Sequence, residues 1–297
     1  MKPRSCITGG AGFIGSHYAD LLLSRDEDVV VLDDLSTGRE ENIPSNVTFV
    51  KGSVCSDNDI AEAVAGCQTV YHLASRVSVA ESIEHPEMYT EVTALGTKRV
   101  LRVSQECGVS RVVLASSCSV YGDAEVPIFE SAPLKPLSPY AASKLEAESY
   151  CKESADSSFA TIVLRFFNVY GPRQRSDSPY SGVIARFMDA FHRGQVPTVF
   201  GDGWQTRDFI YVSDVVRALA CAGKSESPRD GSAFNIGTGK EVSINTLLDL
   251  IGGKPAERLP ARPGEILRSC ADVSKAREEL EFISQYSMSD GLDLIRS

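Results

Sequence analysis

The sequence predicts an α/β fold, a doubly wound parallel sheet followed by a smaller C-terminal lobe. Short apolar runs rich in β-branched residues recur through the first half of the chain, and helical stretches separate them. This alternation is typical of parallel strands joined by crossover helices. The run VVVL at 29–32 is continuously apolar, as expected of a strand that helices cover on both faces. The 297 residues suffice for one large domain or two modest ones.

Six strands are predicted in the N-terminal part of the chain. Apolar residues at roughly helical spacing between Leu95 and Val103 also predict a crossover helix over Ala94–Cys107, between the fourth and fifth strands. The predicted strands are Ser5–Thr8, Val29–Asp33, Val47–Val50, Thr69–Ala74, Arg111–Ser116 and Thr161–Arg165.

The regular alternation of strands and helices ends near Arg165. Beyond it the chain contains segments rich in Gly, Pro and Arg, such as 168–182 and 200–209. We therefore expect a sheet domain at 1–165. We expect a mainly loop-rich lobe at 166–297, some segments of which return to the sheet.

The charge balance limits the possible partners. The chain has 30 Lys and Arg against 40 Asp and Glu, a net charge of -10. This argues against binding along a nucleic-acid backbone or an anionic membrane, so a few placed cations must meet any anionic ligand. No apolar run approaches the ~18 residues of a membrane span, and the first apolar segment is too short for a signal sequence. The eight cysteines contain no CxxC pair, which predicts reduced thiols in a cytoplasmic protein, and the four dispersed histidines predict no zinc site.

A glycine-rich turn follows the first predicted strand. Gly10, Gly12 and Gly15 have the G-x-G-x-x-G spacing of a Rossmann dinucleotide-binding turn, although a ligand-free turn could carry the same glycines. Asp33 ends the second strand and could accept hydrogen bonds from the adenosine ribose. A carboxylate there repels a 2′-phosphate, so we expect NAD rather than NADP, although Arg39 lies six residues further on. The 1–165 part is thus predicted to bind NAD.

Two groups of hydroxyl-bearing residues are candidates for chemistry. Tyr140 and Lys144 are four residues apart, on one face of a helix, where the ammonium would lower the pKa of the phenol and make it a base. The same spacing occurs on ordinary helix surfaces. The segment SSCSVYG (116–122) follows the fifth strand, at the edge of the sheet where open α/β sheets bind ligands.

Taken together, these motifs resemble the extended short-chain dehydrogenase/reductase family, specifically its nucleotide-sugar epimerases and dehydratases. The resemblance covers nearly the whole chain. The segments that carry it are TGGAGFIGS (8–16), VLDDLSTG (31–38), VYHLAS (70–75), SSCSVYG (116–122), SPYAASK (138–144), RFFNVYGPRQ (165–174), GDGWQTRDFIYVSDVV (201–216), FNIGTG (234–239) and RPGEI (262–266).

The resemblance implies roles for individual residues. It implies Ser117, Tyr140 and Lys144 as the catalytic set. Ser53 and Thr93 stand where many relatives have Asp and Asn, yet both remain in the implied cofactor site. NAD would be bound by Gly9, Gly12, Phe13, Ile14, Gly15, Asp33, Leu35, Ser53, Val54, Leu73, Ala74, Ser75, Thr93, Ala115, Ser116, Tyr140, Lys144 and Phe167.

The implied substrate site uses mainly residues after the sheet domain. Asn168, Arg207 and Arg262 resemble residues that hold the nucleotide diphosphate and the nearby sugar, which explains how an acidic protein binds an anion. The whole implied set is Ser78, Ser117, Cys118, Ser119, Asn168, Val183, Arg207, Arg262 and Ser269.

The resemblance also narrows the reaction. Dehydratases of the family generally carry Thr-Asp-Glu where this chain has Ser117-Cys118-Ser119, so we expect a 4-epimerase of UDP-hexoses, an isomerase. A UDP-glucuronate 4-epimerase or decarboxylase is the alternative, because Arg173 and Arg175 could bind a C6 carboxylate. The run SPYSGVI (178–184) resembles hexose and N-acetylhexosamine epimerases more closely. A non-catalytic dinucleotide-binding regulatory protein is a further alternative.

Substrate size and assembly are also implied by the resemblance. Counted back from Ala271-Asp272, the position that flanks the C2 substituent of the sugar is Ser269, whose small side chain predicts that N-acetyl sugars are accepted. Ser78 could hydrogen-bond the acetamido group or be an ordinary loop hydroxyl. A homodimer with a four-helix interface is implied, with segments 89–107 and 140–153 as the candidates.

Overall fold

The computed structural model describes residues 2–177, 182–226, 229–252, 255–261 and 265–296. Its centre is a parallel sheet of seven strands in the order β11-β6-β5-β4-β1-β2-β3. The strands along the chain are β1 (Arg4–Thr8), β2 (Asp28–Asp33), β3 (Thr48–Lys51), β4 (Thr69–His72), β5 (Arg111–Ser117), β6 (Ala160–Phe166), β7 (Asn168–Tyr170), β8 (Thr198–Phe200), β9 (Thr206–Arg207), β10 (Phe209–Tyr211), β11 (Asp230–Ile236), β12 (Val242–Ser243) and β13 (Glu257–Leu259).

Helices connect these strands. A π-helical turn (Thr90–Leu95) continues directly into α5, and a 3₁₀ turn (Cys118–Tyr121) follows β5. The α-helices of the described residues are α1 (Phe13–Ser24), α2 (Asp57–Val64), α3 (Val79–Glu84), α4 (Pro86–Tyr89), α5 (Gly96–Glu106), α6 (Pro139–Ser154), α7 (Val183–His192), α8 (Val212–Lys224), α9 (Ile244–Ile251), α10 (Ser274–Glu279) and α11 (Met288–Arg296).

The hydrophobic core lies on both faces of the sheet. Side chains alternate along each strand, so in β1 Cys6 belongs to one cluster and Ile7 to the other. The cluster of Ile7 includes buried residues of α1 and α8, and the cluster of Cys6 includes residues of α2, α5 and α6. Burial on both faces explains why the strands read as continuous apolar runs.

The predicted fold class is confirmed, and each predicted strand corresponds to a strand of the sheet. The helix predicted over Ala94–Cys107 is present as α5, although its N-terminal end is a π-helical turn. The strand β11 pairs with β6, so a segment of the C-terminal part belongs to the sheet. The division into 1–165 and 166–297 stays a prediction.

Short strand pairs build the C-terminal lobe. β7 pairs in parallel with β10, β9 pairs antiparallel with β12, and β13 pairs in parallel with β8. β7 begins two residues after β6 ends, so this lobe starts at the carboxyl edge of the sheet. Among the described helices, none has the length and apolar character needed to cross a bilayer.

Candidate active site

The glycine turn between β1 and α1 forms a tight cradle. Gly9 has a φ of +72°, and a Cβ atom there would lie 2.7 Å from the backbone nitrogen of Ala74. A Cβ on Gly15 would lie 2.8 Å from Gly10 Cα, so neither position can carry a side chain. Gly12 caps α1 without a side chain to occupy the first-turn N–H groups. The turn therefore presents a helix N-terminus to an anion, as the pyrophosphate of a dinucleotide requires.

Asp33 lies at the end of β2, beside this turn. Its two carboxylate oxygens accept hydrogen bonds from Ala11 N (3.0 Å) and Leu35 N (2.8 Å). Burial raises the pKa of Asp33, whereas these two hydrogen bonds lower it. A carboxylate has about four acceptor positions, so lone pairs remain for ribose hydroxyls. The turn and this carboxylate together fit a dinucleotide.

A chain of hydrogen bonds through His72 supports the floor of the site. The Thr97 hydroxyl donates to Thr93 O (2.6 Å), so it accepts from His72 Nε2 at 3.0 Å. His72 Nδ1 then accepts from the Thr8 hydroxyl (2.7 Å), which itself accepts from Ala74 N (3.2 Å). Burial lowers the pKa of His72 to about 3, so the ring is neutral. Its role is structural.

Three catalytic candidates meet where β5 ends and α6 begins. Ser138 caps α6 by accepting a hydrogen bond from Ala141 N at 3.2 Å, which places Tyr140 and Lys144 in the first turns of the helix. The Lys144 ammonium is buried and donates to Ala115 O (2.7 Å). Ser117, two residues after Ala115, hydrogen-bonds the Tyr140 phenol. The fold thus brings Ser117, Tyr140 and Lys144 together.

The expected lowering of the pKa of Tyr140 by Lys144 is wrong for this structure. Burial raises the pKa of Tyr140 to about 12, and the hydrogen bond from Ser117 is what lowers it. The physical reason is the environment of the Lys144 ammonium. Burial lowers the pKa of Lys144 to about 8, opposed by the charge of Glu148, and its ammonium donates to a strand carbonyl.

Three of the predicted sugar-binding residues, Cys118, Arg207 and Ser269, lie close together. The Ser269 hydroxyl hydrogen-bonds the Cys118 thiol, and the charge of Arg207 lowers the pKa of that thiol, although burial raises it to about 11. The Ser119 hydroxyl is buried and lacks a hydrogen-bond partner among the described residues. Unpaired buried hydroxyls are costly, so this one is suited to a bound polar ligand.

Arg207 is held in place by backbone carbonyls and a carboxylate. Its guanidinium donates to Thr206 O and Ile266 O, both at 2.8 Å, and lies 3.6 Å from Glu265. The neighbouring Asp208 is fully buried and accepts hydrogen bonds from Thr238 N (2.8 Å), its hydroxyl (2.7 Å), Gly239 N and Ala271 N. Asp208 therefore ties the Arg207 strand to the segment that carries Ser269.

Several predicted contact residues already have partners within the protein. The Ser78 hydroxyl caps α3 by accepting from Glu81 N (3.0 Å), which agrees with its structural alternative. The Ser75 hydroxyl lies 3.1 Å from that of Thr93. The Ser53 hydroxyl accepts from Cys55 N (3.2 Å).

The remaining predicted residues are positioned by the elements that carry them. Phe13 and Ile14 begin α1 beside the glycine turn. Leu73 follows β4, and its N–H donates a hydrogen bond to Thr8 O (3.1 Å). Val54 is buried in the cluster of Cys6, and Phe167 in a third cluster with Ala271. Asn168 begins β7, Val183 begins α7, and Arg262 lies outside the described residues.

The two arginines that suggested a glucuronate substrate are paired with carboxylates. Arg173 lies 2.8 Å from Asp20 of α1, and Arg175 lies 2.9 Å from Asp177. Asp177 also contacts Arg39 at 3.2 Å, so the segment after β7 crosses over the loop that follows β2. Both arginines thus contact α1 or the loop that follows β2, through Asp20 and Thr37 O.

Sequence reasoning missed the charged groups beneath the site. Glu148 and Arg165 form a buried ion pair at 2.6 Å, and Ser116 donates a hydrogen bond to Glu148. The position of Glu148, four residues after Lys144, was the available signal. Within the described part of the chain, no cluster of three or more His, Cys, Asp or Glu could hold a metal.

Fold and site define a dinucleotide-binding enzyme of the short-chain dehydrogenase type. The chain belongs to the NAD-dependent epimerase/dehydratase family, whose model matches residues 5–237, and its cofactor is NAD. It is similar to a UDP-glucose 4-epimerase of Mycolicibacterium smegmatis, 38% identical over 97% of this chain and 96% of that one.

Two solved structures are similar over their whole length. One is the UDP-glucose 4-epimerase of Thermotoga maritima with UDP-glucose, with a TM-score of 0.94 and 35% identity over 98% of this chain and 97% of that one. The other is the UDP-N-acetylglucosamine 4-epimerase of Methanobrevibacter ruminantium with UDP-N-acetylmuramic acid. Its TM-score is 0.93 and its identity 33%, over 99% of this chain and 97% of that one.

Proposed function

We propose that the protein is an NAD-dependent 4-epimerase of UDP-hexoses that also accepts UDP-N-acetylhexosamines. The observation that carries this proposal is the meeting of Ser117, Tyr140 and Lys144 at the end of β5, at the same edge of the sheet as the glycine turn. The similar 4-epimerases support the substrate class.

The proposed mechanism assigns one task to each of the three residues. Tyr140 takes the proton of the C4 hydroxyl and later returns it, while Ser117 hydrogen-bonds the reacting oxygen. In the structure described here the Lys144 ammonium donates to Ala115 O, and in the substrate-bound enzyme its positive charge would turn to the phenolate and stabilise it. NAD, which the glycine turn and Asp33 would hold, would supply reversible hydride transfer at C4. Because the 4-keto sugar can receive the hydride on its other face, the product is the C4 epimer and no net oxidation occurs.

The neighbours of Ser117 favour epimerisation over dehydration. Elimination of water needs an additional acid and base beside the sugar, and the two following residues are Cys118 and Ser119. Burial raises the pKa of the Cys118 thiol to about 11, so it is protonated near neutral pH and cannot replace a carboxylate base. Neither residue supplies the missing pair.

A panel of UDP-sugars tests the proposal. Purified protein is incubated with UDP-glucose, UDP-galactose, both N-acetylated analogues and UDP-glucuronate, and the products are separated by C4 configuration. We expect interconversion of the first four. Turnover of UDP-glucuronate alone would contradict the hexose assignment and favour the alternative. Release of carbon dioxide from it would identify a decarboxylase.

We further infer a homodimer through α5 and α6. The two helices pack side by side, and Lys98 lies over the ring of Tyr150 at 5.0 Å on their outer side. Light scattering should give a mass near twice the chain's 32.1 kDa. A mass of one chain across the micromolar range would contradict this interface.

We also propose a cytoplasmic location and a division of roles along the chain. All eight cysteines are free thiols, in keeping with a reducing compartment. Residues 1–165 would bind NAD, and 166–297 would mainly bind the sugar nucleotide through Asn168, Arg207, Arg262 and Ser269. Localisation of the tagged protein after cell fractionation tests the first statement.

A further inference from the structure

A buried ion pair lies directly beneath the three catalytic candidates. Glu148 is one helical turn after Lys144 on α6, and both side chains are less than a tenth exposed. Arg165 of β6 donates to both carboxylate oxygens of Glu148, through Nε (3.0 and 3.2 Å) and Nη2 (2.6 Å). A buried pair with this many hydrogen bonds fixes the relative positions of the two elements that carry it.

The same helix holds two consecutive residues at the end of β5. Lys144 donates to Ala115 O at 2.7 Å, and the Ser116 hydroxyl donates to Glu148. Ser116 is also the direct strand partner of Arg165 across the β5–β6 ladder. Glu148 therefore binds both members of that pair, and the next residue along β5 is Ser117.

The ion pair also reaches the far end of the turn that follows Ser117. Arg165 Nη1 donates to the Tyr121 hydroxyl (2.8 Å), which donates to Asn235 Oδ1 (2.7 Å) in β11. Tyr121 ends the 3₁₀ turn that carries Cys118 and Ser119. Both ends of the segment from Ser116 to Tyr121 are thus attached to Glu148, directly or through Arg165.

We propose that Glu148 is a positioning residue for the epimerase. It holds the strand end that carries Ser117 in place against the helix that carries Tyr140 and Lys144, and its negative charge keeps the buried Lys144 protonated. No atom of Glu148 needs to touch the substrate for this role. The kinetic part of the proposal rests on the proposed function.

The charge of Glu148 determines the direction in which the pKa of Lys144 should change. Burial lowers the pKa of Lys144 to about 8, and the charge of Glu148 raises it. Replacing Glu148 with Gln keeps the shape but removes that charge, so Lys144 should lose its proton at lower pH. Removal of a neighbouring opposite charge shifts a pKa by ~1 unit or more. Above both midpoints, a shift of one unit reduces the protonated fraction about tenfold.

The decisive measurement is the pH profile of Glu148→Gln beside Glu146→Gln. Glu146 lies on the same helix but is exposed and bonded to Tyr150, so its variant is the matched control. We expect the alkaline limb of kcat to move down by ~1 pH unit in Glu148→Gln, with little change in KM, and to stay in place in Glu146→Gln. A uniformly lowered kcat with an unmoved limb would overturn the electrostatic role.

Two further variants test the proposal if Glu148→Gln, which leaves Arg165 unpaired, does not fold. Glu148→Gln/Arg165→Gln leaves no unpaired charge, and the alkaline limb should shift in the same direction, by less than in Glu148→Gln, because the positive charge of Arg165 is removed as well. Ser116→Ala removes only the bridging hydroxyl. We expect it to lower kcat while the alkaline limb and KM stay unchanged. Wild-type kcat in Ser116→Ala would overturn the positioning role whatever the charge variants do.

A sugar-free measurement separates this proposal from the proposed function. NMR of ¹⁵N-labelled lysine side chains, assigned with Lys144→Met, reports the titration of Lys144 in the NAD-bound protein. Its midpoint should fall in Glu148→Gln and not in Glu146→Gln. A shifted midpoint in a protein that turns over no UDP-sugar would contradict only the proposed function, and an unshifted one contradicts the role of Glu148.

Discussion

At the scale of single residues, the site depends on a phenol whose pKa is far from neutral in the protein alone. Burial raises the pKa of Tyr140 to about 12, and the Ser117 hydroxyl opposes this shift. A base that must lose its proton near neutral pH therefore needs the full set of neighbouring donors and cations. For this reason the roles of Ser117, Lys144 and Glu148 are best tested by rates and pH profiles.

Replacing Tyr140 with Phe should remove the base while keeping the shape of the site. General-base loss typically lowers the rate by roughly 10²–10⁴-fold, and we expect kcat to fall in that range. Tyr150→Phe is the matched control, because Tyr150 lies on the same helix and its hydroxyl donates a hydrogen bond to exposed Glu146. Normal turnover in a Tyr140→Phe protein that still holds NAD would contradict the mechanism.

Replacing Ser269 with Tyr should restrict the substrates by size. The Ser269 hydroxyl contacts Cys118. The segment around it is fixed because Cys270 O accepts a hydrogen bond from Ile128 N (2.8 Å) and Ala271 N donates one to Asp208 (3.1 Å). A bulky ring there cannot move aside. We expect turnover of N-acetylated UDP-sugars to be lost and that of UDP-glucose to remain.

The control for this substitution is Ser269→Ala, which keeps the space and should retain both activities. Product analysis with each sugar checks the result. Equal loss of both activities in Ser269→Tyr would count against Ser269 as the residue that limits substrate size, as would a wild type that turns over no acetylated sugar.

At the scale of elements, a single neutral histidine joins two strands and a helix. His72 of β4 bonds Thr8 of β1 and Thr97 of α5, and all three side chains are buried. The ring must stay neutral, because each of its nitrogens has one fixed partner and no countercharge. Acid should therefore destabilise this junction.

The His72 junction predicts that the free energy of unfolding decreases as the pH falls. The pKa of His72 is lowered to about 3 in the folded protein from an ordinary value of 6.5, so between these values only the unfolded chain binds the proton. Stability then falls with falling pH by ~1.4 kcal/mol per unit at most. Urea unfolding at several pH values should show this additional slope in the wild type and not in His72→Gln. Equal slopes would contradict the assignment.

At the scale of the whole molecule, the glycine turn after β1 and Ser117 at the end of β5 lie at the same carboxyl edge of the sheet. The strand order reverses between β1 and β4, and ligands of open α/β sheets bind at such a switch point. The segment after β7 then crosses to α1 through the Arg173–Asp20 ion pair. This ion pair joins the segment after β7 to the helix that follows the glycine turn.

The proposed reaction cycle predicts that NAD remains bound to the protein through purification. The cofactor is regenerated in every cycle and has no need to leave, so protein denatured without added cofactor should release close to one NAD per chain. An enzymatic cycling assay that distinguishes NAD from NADP measures it. Release of NADP alone would contradict the role given to the carboxylate of Asp33.

The catalytic set of Ser117, Tyr140 and Lys144 stays a prediction that the resemblance implies, whereas the sequence by itself determined six of the seven sheet strands, the glycine turn and the shared helical face of Tyr140 and Lys144. These follow from local rules: apolar runs predict covered strands, φ-permissive glycines predict a tight turn, and a spacing of four places Tyr140 and Lys144 on one helical face.

Only the tertiary structure decided which partners those residues have. Glu148 and Arg165 are 17 positions apart, and Cys118 and Ser269 come from opposite halves of the chain, so no local spacing links them. The pKa of Tyr140 also depended on the structure, because burial and the direction of the Lys144 ammonium are properties of packing. Sequence periodicity identifies the face of a helix, whereas charges and hydrogen bonds on that face depend on what packs against it.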